Sequence, residues 1–365
     1  MNTPGPFEHG GNIYAAARLT GAAPGQLLDY SANINPLGLS AAVRDAVRDA
    51  LDSVIHYPDA TAAALKDAIG RRYGVDPGLV TCGNGAAELL YVLCQVRRPR
   101  RVLLAAPTFS EYERAARAAG AAVGYFPLAA DDGFRLDPDA FAARLAGVDI
   151  AFLCNPNNPT GRLLTRGEVE PIVAAAARAG AWVVVDESFL DFLSDAAGFT
   201  CRPLLAAYPN LIILQSLTKF YAIPGLRLGF LLAEPAVGDI LDRAKDPWNV
   251  NTLAQAAGVA ALDDEAYRAA SVAAVAAARA ELIPALAALP GLRPFPASAN
   301  FILARLTGAT APDLRRTMLR DGILIRDCSN YPGLSPAYIR LAVKLPAQNA
   351  ALLAALEKNL KDGTA

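Results

Sequence analysis

The run Leu211-Ile212-Ile213-Leu214-Gln215-Ser216-Leu217-Thr218-Lys219 decides how the rest of the chain is read. Residues 211–214 are apolar without interruption and read as a buried strand. The strand leads into two hydroxyls and a lysine, then into Phe220-Tyr221-Ala222-Ile223-Pro224-Gly225-Leu226-Arg227-Leu228-Gly229-Phe230. An isolated lysine at a strand end is ordinarily an exposed amine. Lys219 is not isolated, because Ser216 and Thr218 stand beside it and Arg227 follows eight residues on. A lysine nucleophile works as a neutral amine, and partial burial beside a second cation lowers its pKa. The planar fork of an arginine suits a phosphate dianion.

Working outward, short apolar runs at 79–82, 102–105, 122–126, 150–154, 182–185 and 228–232 bring the candidate strands to seven. They alternate with helical stretches, and several are apolar throughout, the pattern of a large, mostly parallel sheet covered on both faces. Ligands of such α/β sheets bind beyond the carboxyl ends of the strands. There the 79–82 run turns through Gly83-Asn84-Gly85-Ala86 into a helix, whose free N–H groups suit an anion. Glycine turns of this kind also occur without a ligand. Helices at 40–53 and 61–73 precede this turn. After Asp246-Pro247-Trp248-Asn249-Val250-Asn251 the character changes: an alanine-rich helix at about 263–289, short strands near 300–303, 323–326 and 338–343, and helices at 312–320 and 348–360 read as a smaller α+β unit. The organisation expected is an N-terminal arm with part of the small domain (1–45), a large domain (46–245) and a small C-terminal domain (246–365).

The 365 residues are 53% hydrophobic and 19% charged, enough for a sizeable core. Basic and acidic residues number 34 and 35, for a net charge of -1, and no basic tract stands out, which argues against a nucleic-acid surface and for a small ligand. Five cysteines without a C-x-x-C pair and two histidines make a metal site unexpected; the cysteines read as small core residues in a reducing compartment. The opening Met1-Asn2-Thr3-Pro4-Gly5-Pro6 lacks a basic stretch leading into an apolar one, and no apolar run reaches ~18 residues without polar interruption, so a cytoplasmic protein with no membrane span is expected.

Further motifs carry chemistry. Asn155-Pro156-Asn157-Asn158-Pro159-Thr160-Gly161 is a turn by composition. Val183-Val184-Val185-Asp186-Glu187 places an acid just beyond a strand, 33 residues before Lys219, where a helix cap is the plain alternative. Taken with the lysine segment, these motifs resemble the fold-type I pyridoxal phosphate enzymes, the aspartate aminotransferase superfamily, over nearly the whole chain. The resemblance implies the aspartate-aminotransferase-like fold, with a seven-stranded large domain and a smaller α+β domain, and pyridoxal 5'-phosphate as cofactor. It implies that Lys219 forms a Schiff base with the cofactor aldehyde, and that Gly85, Ala86, Ser216, Thr218 and Arg227 hold its phosphate. It assigns Asn158 to the phenolic oxygen, Asp186 to the protonated pyridine nitrogen, and Phe109 to stacking above the ring, although a core phenylalanine is the alternative there. Relatives commonly carry a tyrosine three residues after the aspartate, where this chain has Phe189. They are homodimers with shared active sites, in which a neighbouring subunit's tyrosine reaches the phosphate; Tyr57 matches it.

Arg340 matches the family arginine that pairs with a substrate carboxylate, and Arg326 offers a second cation, so a small phosphorylated amino acid or amine is the expected partner. The opening His9-Gly10-Gly11-Asn12-Ile13-Tyr14, then Tyr30-Ser31-Ala32-Asn33-Ile34-Asn35-Pro36-Leu37-Gly38 and Asp327-Cys328-Ser329-Asn330-Tyr331-Pro332-Gly333-Leu334, resemble the family branch that decarboxylates O-phosphorylated threonine in cobalamin biosynthesis. The alternative branch transaminates histidinol phosphate. On the first reading His9, Asn12, Asn33 and Arg326 are the candidates for the substrate phosphate. An arginine salt bridge to the departing carboxylate would stabilise the charge that decarboxylation removes, which argues for transamination. A non-catalytic relative, such as the effector domain of a regulator, is a third possibility, with no DNA-binding extension in view.

Overall fold

A computed structural model describes residues 9–362, so the first eight residues of the expected arm lie outside the described residues. The strands in chain order are β1 (Leu28–Asp29), β2 (Val80–Gly83), β3 (Arg101–Ala106), β4 (Ala122–Pro127), β5 (Ile150–Cys154), β6 (Trp182–Asp186), β7 (Leu211–Ser216), β8 (Gly229–Leu232), β9 (Leu292–Pro294), β10 (Phe301–Leu306), β11 (Ile323–Leu324), β12 (Arg326–Asp327) and β13 (Tyr338–Ala342). The seven runs read from the sequence form one sheet, ordered β2-β8-β7-β6-β5-β3-β4. It is parallel from β7 through β4, and β8 runs antiparallel to both its neighbours. Every residue of β7 is buried, as a strand covered on both faces requires.

The register brings the chemistry-bearing ends together. Cys154 lies opposite Asp186, Asp186 opposite Leu214, and Ser216 opposite Gly229. Gly229 admits no side chain, because a Cβ there would sit 2.5 Å from the Ala86 nitrogen. The helix Ala86–Arg97 is thus drawn onto the sheet with its N-terminus level with the end of β7.

The second unit is built on the antiparallel sheet β12-β13-β10-β9, with β1 paired in parallel to β11 beside it. The segment after β1 is stitched in by the Tyr30 nitrogen, which donates to Leu324 O, and by Ala342 N, which donates to Tyr30 O. The helices Ile13–Thr20 and Pro235–Ala244 escaped the sequence reading, and so did two further elements. Strand β9 is three residues long, and the helix Thr252–Asp263 is alanine- and glycine-rich with apolar residues on more than one side. That helix packs on Ala41–Asp49 and Ala63–Tyr73, within the core of the large sheet although it follows the composition break at 246–251. The next helix, Glu265–Ala287, is shared: Val272 and Val275 enter the large core, Ala278, Leu282 and Leu286 the small one. Among the described residues it is the one helix long and apolar enough to cross a membrane, and its buried stripe packs on protein.

The lysine turn is clamped from both units. The short helix Leu217–Phe220 starts directly from β7, and the Asn35 nitrogen donates to Lys219 O at 3.0 Å. The Asn35 side-chain Nδ2 donates to Phe220 O at 2.7 Å and to Ser271 Oγ on the shared helix at 2.8 Å. All of this is buried, so Asn35→Ala removes two hydrogen bonds that water cannot replace. We expect a loss of about 1–3 kcal/mol in urea unfolding with an unchanged m-value. An unaltered midpoint would show that the clamp contributes nothing.

Candidate active site

Beyond the ends of β5, β6 and β7 lies a cleft of ≈ 320 Å³ whose walls include Lys219, Arg227, Asn158, Arg340, Phe109 and Phe189. Lys219 Nζ donates to Thr218 Oγ1 at 3.3 Å, and Thr218 Oγ1 lies 2.8 Å from Ser216 Oγ. Burial, then the charges of Arg227 and Arg340, lower the lysine pKa to about 8, with Asp186 opposing them.

Arg227 sits at φ +60°, a backbone conformation rare for a side chain of its size. Gly85, at φ +81°, is the reason its guanidinium fits: a Cβ on Gly85 would stand 2.3 Å from Arg227 Nη2. The guanidinium therefore lies against the N-terminus of Ala86–Arg97, and Ser216 pairs with Gly229, which packs on the Ala86 nitrogen. A guanidinium and helical N–H groups meet there, with the Ser216 and Thr218 hydroxyls at the adjoining end of β7, donors of the kind a phosphate takes.

Asp186, at the end of β6, is buried. The Tyr112 hydroxyl donates to its Oδ2 at 2.5 Å and the Ser188 nitrogen to its Oδ1 at 2.9 Å. Burial raises its pKa, against the hydrogen bonds from Ser188 and Tyr112 and the charge of Lys219. The adjacent Glu187 is taken up elsewhere, accepting from the Thr200 hydroxyl and from Cys201 N, and burial pushes its pKa up to about 7.

The three asparagines of the 155–161 turn divide their work. Asn155 bonds both backbone groups of Leu164, and Asn157 bonds Pro107 O, Thr108 and Thr160. Asn158 alone reaches the cleft, where its Oδ1 accepts from Arg340 Nη1 at 2.5 Å. With the oxygen committed, its Nδ2 is the group left to donate to a ligand oxygen. Arg340 Nη2 donates to Ser31 O at 2.7 Å, and its buried Nε has no partner. Burial holds the Arg340 pKa below the usual arginine range.

Arg326 lies directly across from Arg340 in the β12–β13 pair, and Asn33 joins them in the cleft wall. Asn33 Oδ1 is buried without a partner. His9 closes the mouth, its ring 5.7 Å from that of Phe109. Phe189 meets the Phe301 ring edge-on and presents no hydroxyl. Of the expected residues, Gly85, Ala86, Asp186, Ser216 and Thr218 are not among those lining the cleft, and Asn12 and Tyr57 are engaged elsewhere. Asn12 caps the helix Ile13–Thr20, its Oδ1 accepting from Ala15 N at 3.0 Å, because an asparagine before an apolar helical run satisfies the end N–H groups. Tyr57 is 77% exposed and stacks on Trp248. The sequence reading missed Tyr112 and Ser31. Neither has a local signal, since one reaches Asp186 across 74 residues and the other reaches Arg340 across 309.

Residues 26–356 match the model of the family "Aminotransferase class I and II", and the chain belongs to that family. Among curated relatives it is 41% identical to the threonine-phosphate decarboxylase of Salmonella typhimurium, over 98% of this chain and 97% of that one. It is also 36% identical to histidinol-phosphate aminotransferase 2 of Ralstonia nicotianae, over 99% of this chain and 96% of that one. The crystal structure of L-threonine-O-3-phosphate decarboxylase from Porphyromonas gingivalis superposes with a TM-score of 0.82 at 30% identity, covering 92% of this chain and all of the other.

The residues present fit pyridoxal 5'-phosphate, the cofactor of this family. The Gly85–Arg227 cradle suits its phosphate, Asn158 Nδ2 its phenolic oxygen, and Asp186, held by neutral donors only, a cationic ring nitrogen. Because the Lys219 pKa is lowered to about 8, its neutral, nucleophilic form grows in as pH rises through about 8. The rate of borohydride-trappable cofactor attachment to the cofactor-free protein should therefore inflect there, and Arg227→Met should move the inflection upward. Attachment surviving in Lys219→Ala would exclude this lysine.

Proposed function

We propose that the protein decarboxylates L-threonine O-3-phosphate to (R)-1-amino-2-propanol O-phosphate and carbon dioxide, as a cytoplasmic homodimer serving cobalamin biosynthesis. The observation that carries this reading is the cross-strand pair of buried arginines, Arg326 and Arg340, facing the cleft that holds Lys219. Like charges directly opposite on neighbouring strands are destabilising, and an anionic ligand relieves them. A substrate with both a carboxylate and a phosphate answers both. The full-length similarity to threonine-phosphate decarboxylases supports the choice of amino acid.

When bound, pyridoxal phosphate supplies an electron sink for the pair left on the substrate Cα. The Asp186 carboxylate holds the proton on the cofactor ring nitrogen. Asn158 Nδ2 donates to the phenolic oxygen, a task left to it because Phe189 has no hydroxyl. Arg340 orients the carboxylate, and Arg326, Asn33 and His9 take the phosphate, fixing which Cα bond stands perpendicular to the ring. The carboxylate leaves as carbon dioxide, its bonding pair stays on Cα, and Lys219 Nζ returns a proton to that carbon. Phe109 and Phe189 present apolar faces to the cleft and exclude water from this step.

Arg340 already gives one N–H to Asn158 and one to Ser31, which fixes its guanidinium plane, while its buried Nε–H and the remaining terminal N–H groups are left to orient the carboxylate. Dimerisation is supported by the exposed apolar residues Leu51, Val54, Ile55, Tyr57 and Trp248, among them the tyrosine proposed to reach a second copy. All five cysteines are free thiols, in keeping with a reducing compartment.

Incubation of the cofactor-loaded protein with L-threonine O-3-phosphate should release carbon dioxide and aminopropanol phosphate in equal amounts. Glutamate formed on incubation with histidinol phosphate and 2-oxoglutarate, without carbon dioxide from L-threonine O-3-phosphate, would move the assignment to transamination. Sedimentation equilibrium should return a dimer mass; a monomer that decarboxylates at full rate would remove Tyr57 from the site.

A further inference from the structure

Among the described residues lining the cleft, Glu111 is the one acid, against six basic side chains. A carboxylate facing the route of an anionic substrate repels it, so its presence there needs a physical reason. Glu111 follows Phe109 by two residues and is buried, 6% exposed. Its Oε1 lies 2.7 Å from His9 Nε2 and 3.5 Å from Arg114 Nη1, while its Oε2 accepts from the Tyr91 hydroxyl at 3.0 Å. Burial works to raise the carboxyl pKa, but the hydrogen bonds from His9 and Tyr91 and the charges of His9 and Arg114 outweigh it and hold the group below the ordinary range. The acid therefore stays ionised where it is.

Both of its basic partners line the cleft, and they come from different parts of the molecule. His9 is on the segment leading into the helix Ile13–Thr20, which packs on the small unit's helix Ala311–Arg320, whereas Arg114 is one turn along the helix Ser110–Ala118 of the large unit. Gly10 and Gly11 press this segment onto Ser31: a Cβ on Gly10 would stand 2.1 Å from Ser31 O, and Gly11 N donates to Ser31 Oγ at 2.7 Å. Ser31 O is also the acceptor for Arg340. The segment is thus fixed to the small unit at Ser31 and to the large unit at Glu111, with the cleft mouth between.

We propose that Glu111 is a positioning residue for the phosphate end of the substrate, docking the N-terminal segment through His9 and holding Arg114 beside it so that the two basic side chains face the anion together. This rests on the reading that the substrate is phosphorylated, and it adds Arg114 to that end of the site.

The test is calorimetric titration of inorganic phosphate into the cofactor-saturated protein, comparing wild type, Glu111→Gln, Glu111→Asp and Arg114→Gln. Glu111→Gln should weaken phosphate binding about tenfold, the order expected for loss of a charge-assisted pair, and Glu111→Asp should recover part of it. With L-threonine O-3-phosphate, KM should rise about tenfold in Glu111→Gln while kcat changes less than about twofold, the mark of a ground-state contact. Arg114 is half exposed, so Arg114→Gln leaves the core untouched and should weaken phosphate binding by itself. Phosphate bound as tightly by either Gln variant as by wild type, no phosphate binding in wild type, or a fall in kcat at constant KM would each overturn the proposal. Phosphate binding needs no turnover, so a protein that binds it through Glu111 but releases no carbon dioxide would refute the decarboxylase reading and leave this one standing.

Discussion

The Asp186 carboxylate is buried at the end of β6, with the Tyr112 hydroxyl and Ser188 as neutral hydrogen-bond donors. Neutral donors offset part of the cost of burying a charge, and a cation offsets far more. Lys219 supplies a field rather than a contact, and burial still pushes the Asp186 pKa upward. The site is electrostatically incomplete on the protein's own terms. A cofactor with a protonatable ring nitrogen would complete it.

The large sheet delivers this arrangement cheaply in sequence terms. Parallel strands end on one side, so Asp186 from β6, the 155–161 turn from β5 and the lysine turn from β7 arrive together without long loops. Antiparallel β8 starts at that same edge, so Arg227 just ahead of it stays there, and two glycines, 85 and 229, remove the side chains that would hold the helix N-terminus and the guanidinium apart. The small unit contributes the opposite wall through Arg326 and Arg340 of the β12–β13 pair, with residues 31–34 and Tyr331 beside them.

What could be read beforehand follows the range of the interaction. The seven strands were legible because each is a short apolar run bounded by turn residues; Lys219, Arg227, Asn158 and Asp186 were nominated on motifs that resemble the family's, and the fold sets the first three in the cleft wall and Asp186 at the end of β6. Asn12 shows a local signal overlooked: an asparagine ahead of Ile13–Thr20 is a helix cap before it is anything else. Tyr112, Ser31, Asn35 and Glu111 were illegible for the opposite reason, since the contacts to Asp186, Arg340, Ser271 and Tyr91 that give them their place span 20 to 309 residues and only the fold brings them together. The helix Thr252–Asp263 was missed because its alanines and glycine face neighbours on several sides, erasing the one-sided stripe that marks a surface helix.

The helix Glu265–Ala287 acts as a strut. Twenty-three residues of unbroken helix enter one core at Val275 and the other at Ala278, less than a turn apart. Rotating the units away from each other would shear that helix or tear its side chains from one core, so wide opening of the cleft is mechanically disfavoured. Traffic is left to the rim, where a few residues ahead of the first helix span the gap. The molecule is in this respect less a clam than a jar, rigid in the wall and served by its stopper.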